Sequence, residues 1–158
     1  MMVLFAISGL DDVDDDEPAG VSGGKKFTDG PTSETPNAPN GPITAIRVWV
    51  DGENYTSGIQ VEYGNDWGES HGGSEGEMIE ITLSEEETLD EVLGSIGEKG
   101  IQSLKFISSL SDYGPYGGEI AENPKFASEK EGCYVIYISG RVDNDRIDLL
   151  DFHYKCDV

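Results

Sequence analysis

The chain has 158 residues, of which 32 are Asp or Glu and 10 are Lys or Arg, giving a formal net charge of −22 and a pI near 4.1. That length suits one domain. The charge excludes a nucleic-acid backbone or an anionic membrane surface as a general partner, since both require basic patches for counterion release. Glycine supplies 21 residues, nearly twice the usual share of about 7%, which predicts many tight turns and few long helices.

Taken in chain order, Met1–Leu10 (MMVLFAISGL) is apolar but short. It lacks the positive n-region of a secretory signal and falls short of the roughly 18 apolar residues of a membrane span. A divergent signal remnant, an edge strand and a disordered end all fit it. Asp11–Glu17 then carries six carboxylates in seven residues. Like charges at this density repel and stay extended and solvated. Asp12, Asp14 and Asp16 have EF-hand spacing, but Glu17 stands where that loop turns on Gly and Gly23 where it needs a bidentate Glu. An EF-hand is excluded, leaving only weak, multivalent calcium association for the run.

Residues 1–42 show little hydrophobic periodicity. From Ile43 the pattern becomes strand-like: Ile43–Val50, Gly58–Tyr63, Met78–Leu83, Leu104–Ile107, Tyr134–Ser139 and Ile147–Tyr154 are short, rich in β-branched or aromatic residues and mostly bounded by turn formers. Alternation sets Ile79, Ile81 and Leu83 on one face and Glu80 and Thr82 on the other. Short strands between turn clusters predict an all-β sandwich, prism or barrel. One segment dissents. Ser84-Glu85-Glu86-Glu87 is a capping-box pattern, and Leu89, Val92, Leu93 and Ile96 have helical spacing. Local chemistry favours a helix there, weakened by Gly94, Gly97 and Gly100 at about 1 kcal/mol each.

The two cysteines can be placed. Gly140–Arg146 is turn-rich and joins the last two strands. If the hairpin turns between Asn144 and Asp145, Cys133 and Cys156 face each other across the ladder, with Cβ atoms about 4.5–5.5 Å apart, close enough for a disulfide after modest adjustment. Gly68-Glu69-Ser70-His71-Gly72 matches the nucleophile-elbow pattern, but the glycines that follow are poor helix starters, so a hydrolase is not expected. His71 and His153 with two cysteines make no zinc spacing. Neither a cofactor nor a metal is expected. Trp49 and Trp67 read as core or sheet-surface aromatics, and Asn54-Tyr55-Thr56 is a glycosylation sequon, a triplet also common by chance.

Several segments recur together in a known order. Ser22–Phe27 (SGGKKF), Gly41–Val48 (GPITAIRV), Gly58–Gly64 (GIQVEYG), Gly114–Gly117 (GPYG), Ile138–Arg141 (ISGR) and Ile147–His153 (IDLLDFH) make residues 20–155 resemble the jacalin-related lectins, nearest their animal secretory, zymogen-granule branch. The resemblance implies an all-β, β-prism I fold of three Greek-key antiparallel sheets spanning 20–158, with 1–19 as an acidic tail or signal remnant outside it. It implies that Leu83–Ile96 is strand and turn despite its helical spacing. It implies a carbohydrate site built from a Gly-rich loop (Gly23, Gly24), a recognition loop (Ser111, Asp112, Tyr113) and a Gly-x-x-x-Asp binding loop, here Asn144, Asp145, Arg146, Ile147 and Asp148.

The chemistry suits a hexose. A carboxylate such as Asp148 accepts from two vicinal hydroxyls, and the Asp145 and Arg146 N–H groups donate to the same oxygens. Glycines let the other loop approach, and Tyr113 can cover an apolar sugar face. The chain departs from the family pattern in three ways. Asn144 replaces the loop's first Gly, the loop is one residue longer, and the recognition loop carries no base. Only Lys25, Lys26 and Arg146 are expected as cations nearby. The expected ligand is therefore a neutral, mannose-type glycan or glycoprotein, bound without metal by a secreted, extracellular, non-enzymatic protein that is a monomer or loose dimer. The alternative is a secreted non-lectin scaffold whose acidic surface binds calcium, mineral or a basic partner.

Overall fold

Strand periodicity becomes sheet where a neighbouring strand supplies hydrogen-bond partners, and each of the strand-like segments from Ile43 onward finds at least one. A computed structural model describes residues 13–15, 19–20, 24–120 and 125–156. In chain order the strands are β1 (Val13–Asp15), β2 (Ala19–Gly20), β3 (Lys25–Thr28), β4 (Ile43–Val50), β5 (Thr56–Tyr63), β6 (Asp66–Trp67), β7 (His71–Gly72), β8 (Glu77–Thr82), β9 (Leu89–Gly97), β10 (Gly100–Ser108), β11 (Asp112–Tyr116), β12 (Lys125–Glu129), β13 (Cys133–Asp143) and β14 (Arg146–Cys156). Among the described residues there is no helix.

Three antiparallel sheets form, ordered β1-β14-β13-β3 with β2 also on β14, β11-β10-β9-β12, and β6-β5-β4-β8 with β7 also on β5. In the second and third sheets the last strand returns to lie beside the first, the Greek-key order. The inner faces meet in one core. Val48 and Ile59 from one sheet, Val92, Leu104 and Phe106 from another, and Ile147, Leu150 and Tyr154 from the last are all at most 1% exposed. The alternation expected on β8 holds at its inner end, where Ile81 and Leu83 are buried while Glu80 and Thr82 are exposed. Arg47 lies 3.9 Å from the Trp67 ring centroid on the outer face.

Leu89–Gly97 is strand, as the family resemblance implies and against the local helix signal. Its backbone pairs on one side with β10 and on the other with β12. The glycines have a tertiary reason: a Cβ on Gly94 would lie 2.4 Å from the Phe126 ring and 2.5 Å from the Ser103 carbonyl. The capping-box pattern is real but closes one turn only. The Ser84 N–H donates to Glu87 Oε1 at 2.8 Å, and the Glu87 N–H donates to the Ser84 carbonyl at 3.1 Å. The other Glu87 oxygen accepts from Ser108 Oγ and, at 2.7 Å, from the Tyr113 hydroxyl. The box thus fastens two corners of the prism together.

Those donors, led by Ser108, hold the Glu87 carboxyl at about 2, below its ordinary 4.5. Because the folded-state value is depressed, its contribution is complete above about pH 5 and lost as pH falls through 4.5 toward 2. At about 1.4 kcal/mol per pKa unit the shift caps this at roughly 3.5 kcal/mol, and partial solvent screening brings it to about 2–3 kcal/mol. Glu87→Gln is expected to cost that much in urea unfolding at pH 7, with the gap to wild type closing by pH 2.5. An equal gap at both pH values would refute this account.

The last hairpin turns at Asn144-Asp145, with Asp143 opposite Arg146 and Cys133 opposite Cys156. The cysteines are joined as a disulfide. Register is kept end to end because two bulges cancel: Ile136 is the extra residue on β13, and Asp148 the extra residue on β14.

At the start of the chain, Val13–Asp15 pairs with Lys155–His153, and Ala19–Gly20 with Leu150–Leu149. Strand pairing therefore reaches back into the acidic run. Met1–Leu10, most of the remaining acidic run and Gly23 lie outside the described residues.

Candidate functional site

The bulge at Asp148 decides the site. Val142 pairs with Ile147 and Arg141 with Leu149, so Asp148 has no partner across the ladder. A bulge re-aims a side chain that strict alternation would send elsewhere. Ile147 and Asp148, adjacent in sequence, are thus both fully buried.

Two glycines close around this carboxylate. Gly24 has φ +72°, and a Cβ there would lie 2.3 Å from Asp148 Oδ2 and 2.9 Å from the Val142 carbonyl. Only glycine fits on both counts. Arg141 Nη1 donates to the Gly24 carbonyl at 3.2 Å and holds that loop against the hairpin. Gly100 has φ +117°, and its missing Cβ would sit 2.3 Å from the Ile147 carbonyl. The β9–β10 turn, carrying Glu98 and Lys99, thereby packs on the backbone of the bulge.

Arg146 sits over the carboxylate. Its Nε lies 2.7 Å from Asp148 Oδ1 and its Nη2 2.8 Å from Asp143 Oδ2. Neither Asp148 oxygen makes a hydrogen bond of good geometry among the described residues. Burial pushes the Asp148 carboxyl above its ordinary value, the Asp143 carboxyl adds to the rise, and Arg146 opposes it. Outside Arg146, a cleft of about 630 Å³ opens between the Asn144–Arg146 turn, the β4–β5 turn, Gly73 and Lys99. A second hollow of about 420 Å³ lies between Lys25 and Val142–Asp145.

The structure therefore brings together Gly24, Asn144, Asp145, Arg146 and Asp148, with Lys25 at the edge. It does not bring Asp112 and Tyr113 to them. β10 starts at Gly100, against Asp148, and ends at Ser108, eight residue steps or roughly 26 Å along the strand. The Ser109–Ser111 loop follows Ser108, so Asp112 and Tyr113 sit at the far end, where Asp112 pairs with Ile107 and the Tyr113 hydroxyl bonds Glu87. The turn near Asp148 is Gly97–Gly100 instead. Its signal was present as two glycines flanking Glu98-Lys99, a hairpin-turn spacing masked by the helical pattern around it.

The Gly68–Gly72 segment runs into β7, a strand rather than the helix an elbow requires. His71 stacks on Phe27 at 3.7 Å between centroids, and its Nε2 lies 2.8 Å from Asp29 Oδ1. Asp29 Oδ2 in turn accepts from the Tyr63 hydroxyl at 2.6 Å. This buried network clamps the segment after β3 onto the prism. His153 is stacked on Tyr137 and bonded to Ser139 Oγ at 2.7 Å. Among the described residues no three His, Cys, Asp or Glu side chains are grouped to hold a metal, and no helix is long and apolar enough to cross a membrane.

Known proteins share this architecture. The chain is 32% identical over 135 residues to zymogen granule membrane protein 16 of Rattus norvegicus and 31% identical to that of Homo sapiens, covering 85% of this chain and 76% of each relative. Single-chain recombinant jacalin superposes with a TM-score of 0.73 at 23% identity, covering 94% of this chain and 97% of the other. A mannose-specific jacalin-related lectin from Morus nigra, solved in complex with mannose, gives 0.72 at 25% identity over 94% of this chain and 97% of that one. The family model for the jacalin-like lectin domain matches residues 16–153, and the chain, with its three-sheet prism, belongs to that family.

Proposed function

We propose that this protein is a secreted lectin that binds a neutral, mannose-type hexose between Gly24 and the Asn144–Asp148 turn, without metal. The observation that carries the reading is Asp148 itself. A fully buried carboxylate whose Oδ2 makes no hydrogen bond of good geometry among the described residues, packed where a side chain on Gly24 would otherwise stand, is costly to keep. A sugar hydroxyl donating to Oδ2 offsets that cost. In this reading the Asp145 and Arg146 N–H groups donate to ring-substituent oxygens, and the Gly24 backbone approaches because it has no Cβ. With Tyr113 at the far end, no aromatic stacking from it is assigned, and the Glu98-Lys99 turn supplies the neighbouring wall.

The preference for neutral glycans rests on charge. Asp143, Asp145 and Asp148 crowd the site, and Arg146, the cation over the carboxylate, is already paired with two of them. A single open site of this kind binds in the millimolar to micromolar range, about −4 to −8 kcal/mol. The disulfide, together with the secretory relatives, supports an extracellular setting. The net charge of −22 opposes close association at low salt, so a monomer or loose dimer is expected by light scattering. The test of the function is a glycan array followed by calorimetric titration with methyl α-mannoside. Absence of saturable binding to any mannose-bearing glycan, with calcium-dependent association in its place, would favour the acidic-scaffold alternative.

Arg146 sets the affinity. To use both Asp148 oxygens a hexose must displace the guanidinium from Oδ1. Arg146→Gln keeps the backbone donor and removes that competitor. With the guanidinium gone from Oδ1, mannoside binding is expected to tighten by a few-fold. Weaker binding in the variant would mean that Arg146 contacts the sugar directly.

A further inference from the structure

Asn54 stands exposed at the tip of the β4–β5 hairpin with φ +64°, a left-handed conformation that asparagine tolerates better than most residues. It begins the only Asn-x-Ser/Thr triplet in the chain, Asn54-Tyr55-Thr56. Its side-chain nitrogen lies beside Gly118, where a Cβ would come within 2.9 Å, so glycine at 118 leaves room around the amide. Thr56 is the opposite case. It is fully buried, and its hydroxyl donates to the Tyr116 carbonyl at 2.9 Å. An enzyme that reads the triplet must reach Thr56 before β11 covers it. Sixty residues separate Thr56 from Tyr116, so on a growing chain the triplet is available well before its covering strand is made. The Cys133–Cys156 disulfide belongs to an oxidising compartment, the kind in which such transfer takes place.

We propose that Asn54 is a glycosylation site carrying one N-linked oligosaccharide. The Asn54 side-chain nitrogen attacks the anomeric carbon of a lipid-linked oligosaccharyl pyrophosphate. The N–C bond forms, the lipid pyrophosphate leaves with the bonding pair, and the amide loses one proton. The folded protein accommodates the product, because Asn54 is exposed and no strand pairs across the hairpin tip. The same turn supplies Asp51, Glu53 and Tyr55 to the cleft beside the binding turn. The oligosaccharide therefore stands at the rim of that end of the prism and narrows the approach of bulky glycoproteins. The site stands whether or not the chain binds sugar.

The test is the intact mass of the full chain secreted from a eukaryotic host behind a signal sequence. A single oligosaccharide is expected, removed by peptide-N-glycosidase to leave Asp at position 54. It should be absent in Asn54→Gln and retained in Thr56→Ser, which keeps the hydroxyl. Should Asn54→Gln fail to be secreted, peptide mapping of the wild-type protein for conversion of residue 54 decides the matter. Secreted, disulfide-bonded wild type with the bare polypeptide mass would overturn the proposal, as would an oligosaccharide that persists in Asn54→Gln.

Discussion

Asp148→Asn is expected to abolish mannoside binding while leaving the protein folded. The carboxylate is the acceptor for which the Gly24 loop and the bulge make room. Hydrogen bonds to a charged acceptor contribute about 1.5–3 kcal/mol each, and the amide retains one acceptor where the carboxylate has two. A loss of about 3 kcal/mol corresponds to more than a hundred-fold in affinity, which takes a millimolar to micromolar site to the edge of detection. Stability should move little or rise. The substitution removes a buried charge that makes no hydrogen bond of good geometry among the described residues, and Arg146 keeps its 2.8 Å contact to Asp143. Titration of both proteins and their melting curves form the measurement. Mannoside affinity within three-fold of wild type would remove Asp148 from the site, and a large drop in melting temperature would make it a structural residue.

Removing the disulfide is expected to have the largest effect on stability and none on the site. Cys133 and Cys156 close a loop with a sequence separation of 23, for which chain-entropy arguments give about 3 kcal/mol. In a domain of this size that is about 6–12 °C in melting temperature. The bond lies at the opposite end of the β13–β14 ladder from the Asn144-Asp145 turn, ten residue steps or roughly 30 Å away. The Cys133→Ser/Cys156→Ser protein should therefore melt well below wild type yet bind mannoside with unchanged affinity at 20 °C. A melting shift under about 2 °C would show that the ladder closes this hairpin without the bond. A parallel loss of affinity would show that hairpin register is transmitted to the turn.

Much of the strand content is legible locally, and the reason differs by segment. Ile43–Val50 matches β4 residue for residue because its β-branched run is central in its sheet and paired on both sides. Leu104–Ile107 is only the core of β10, since Gly100–Ser103 joins the strand through its pairing with β9. Leu89–Gly97 misleads because leucine and isoleucine at helical spacing look alike whether they face one helix stripe or the packed interior of a prism. Here two neighbouring strands supply the hydrogen bonds and override propensity. β3, β11 and β12 are too polar or too short to declare themselves.

The site shows the same division. The order of residues alone places Cys133 opposite Cys156, because hairpin register follows from the position of the turn and the two bulges that interrupt it cancel. The family resemblance, not the order of residues, points to Asp148 and Gly24, the former through the Asn144–Asp148 loop pattern and the latter through the Gly-rich loop. The sequence could not say which other turn meets them. Ser111–Tyr113 and Gly97–Gly100 lie at opposite ends of one strand, and only the packing of Gly100 on the Ile147 carbonyl selects the second. Nor could it reveal that Arg146 covers the carboxylate, since that contact exists only once the bulge turns Asp148 inward. Composition and spacing by themselves determined an acidic, turn-rich, all-β chain with one disulfide, and the resemblance to the jacalin-related lectins singled out the carboxylate of Asp148. The tertiary structure decided which loops surround that carboxylate and what now occupies it, because side-chain direction at a bulge and contact between distant turns are set by sheet packing rather than by neighbours in sequence.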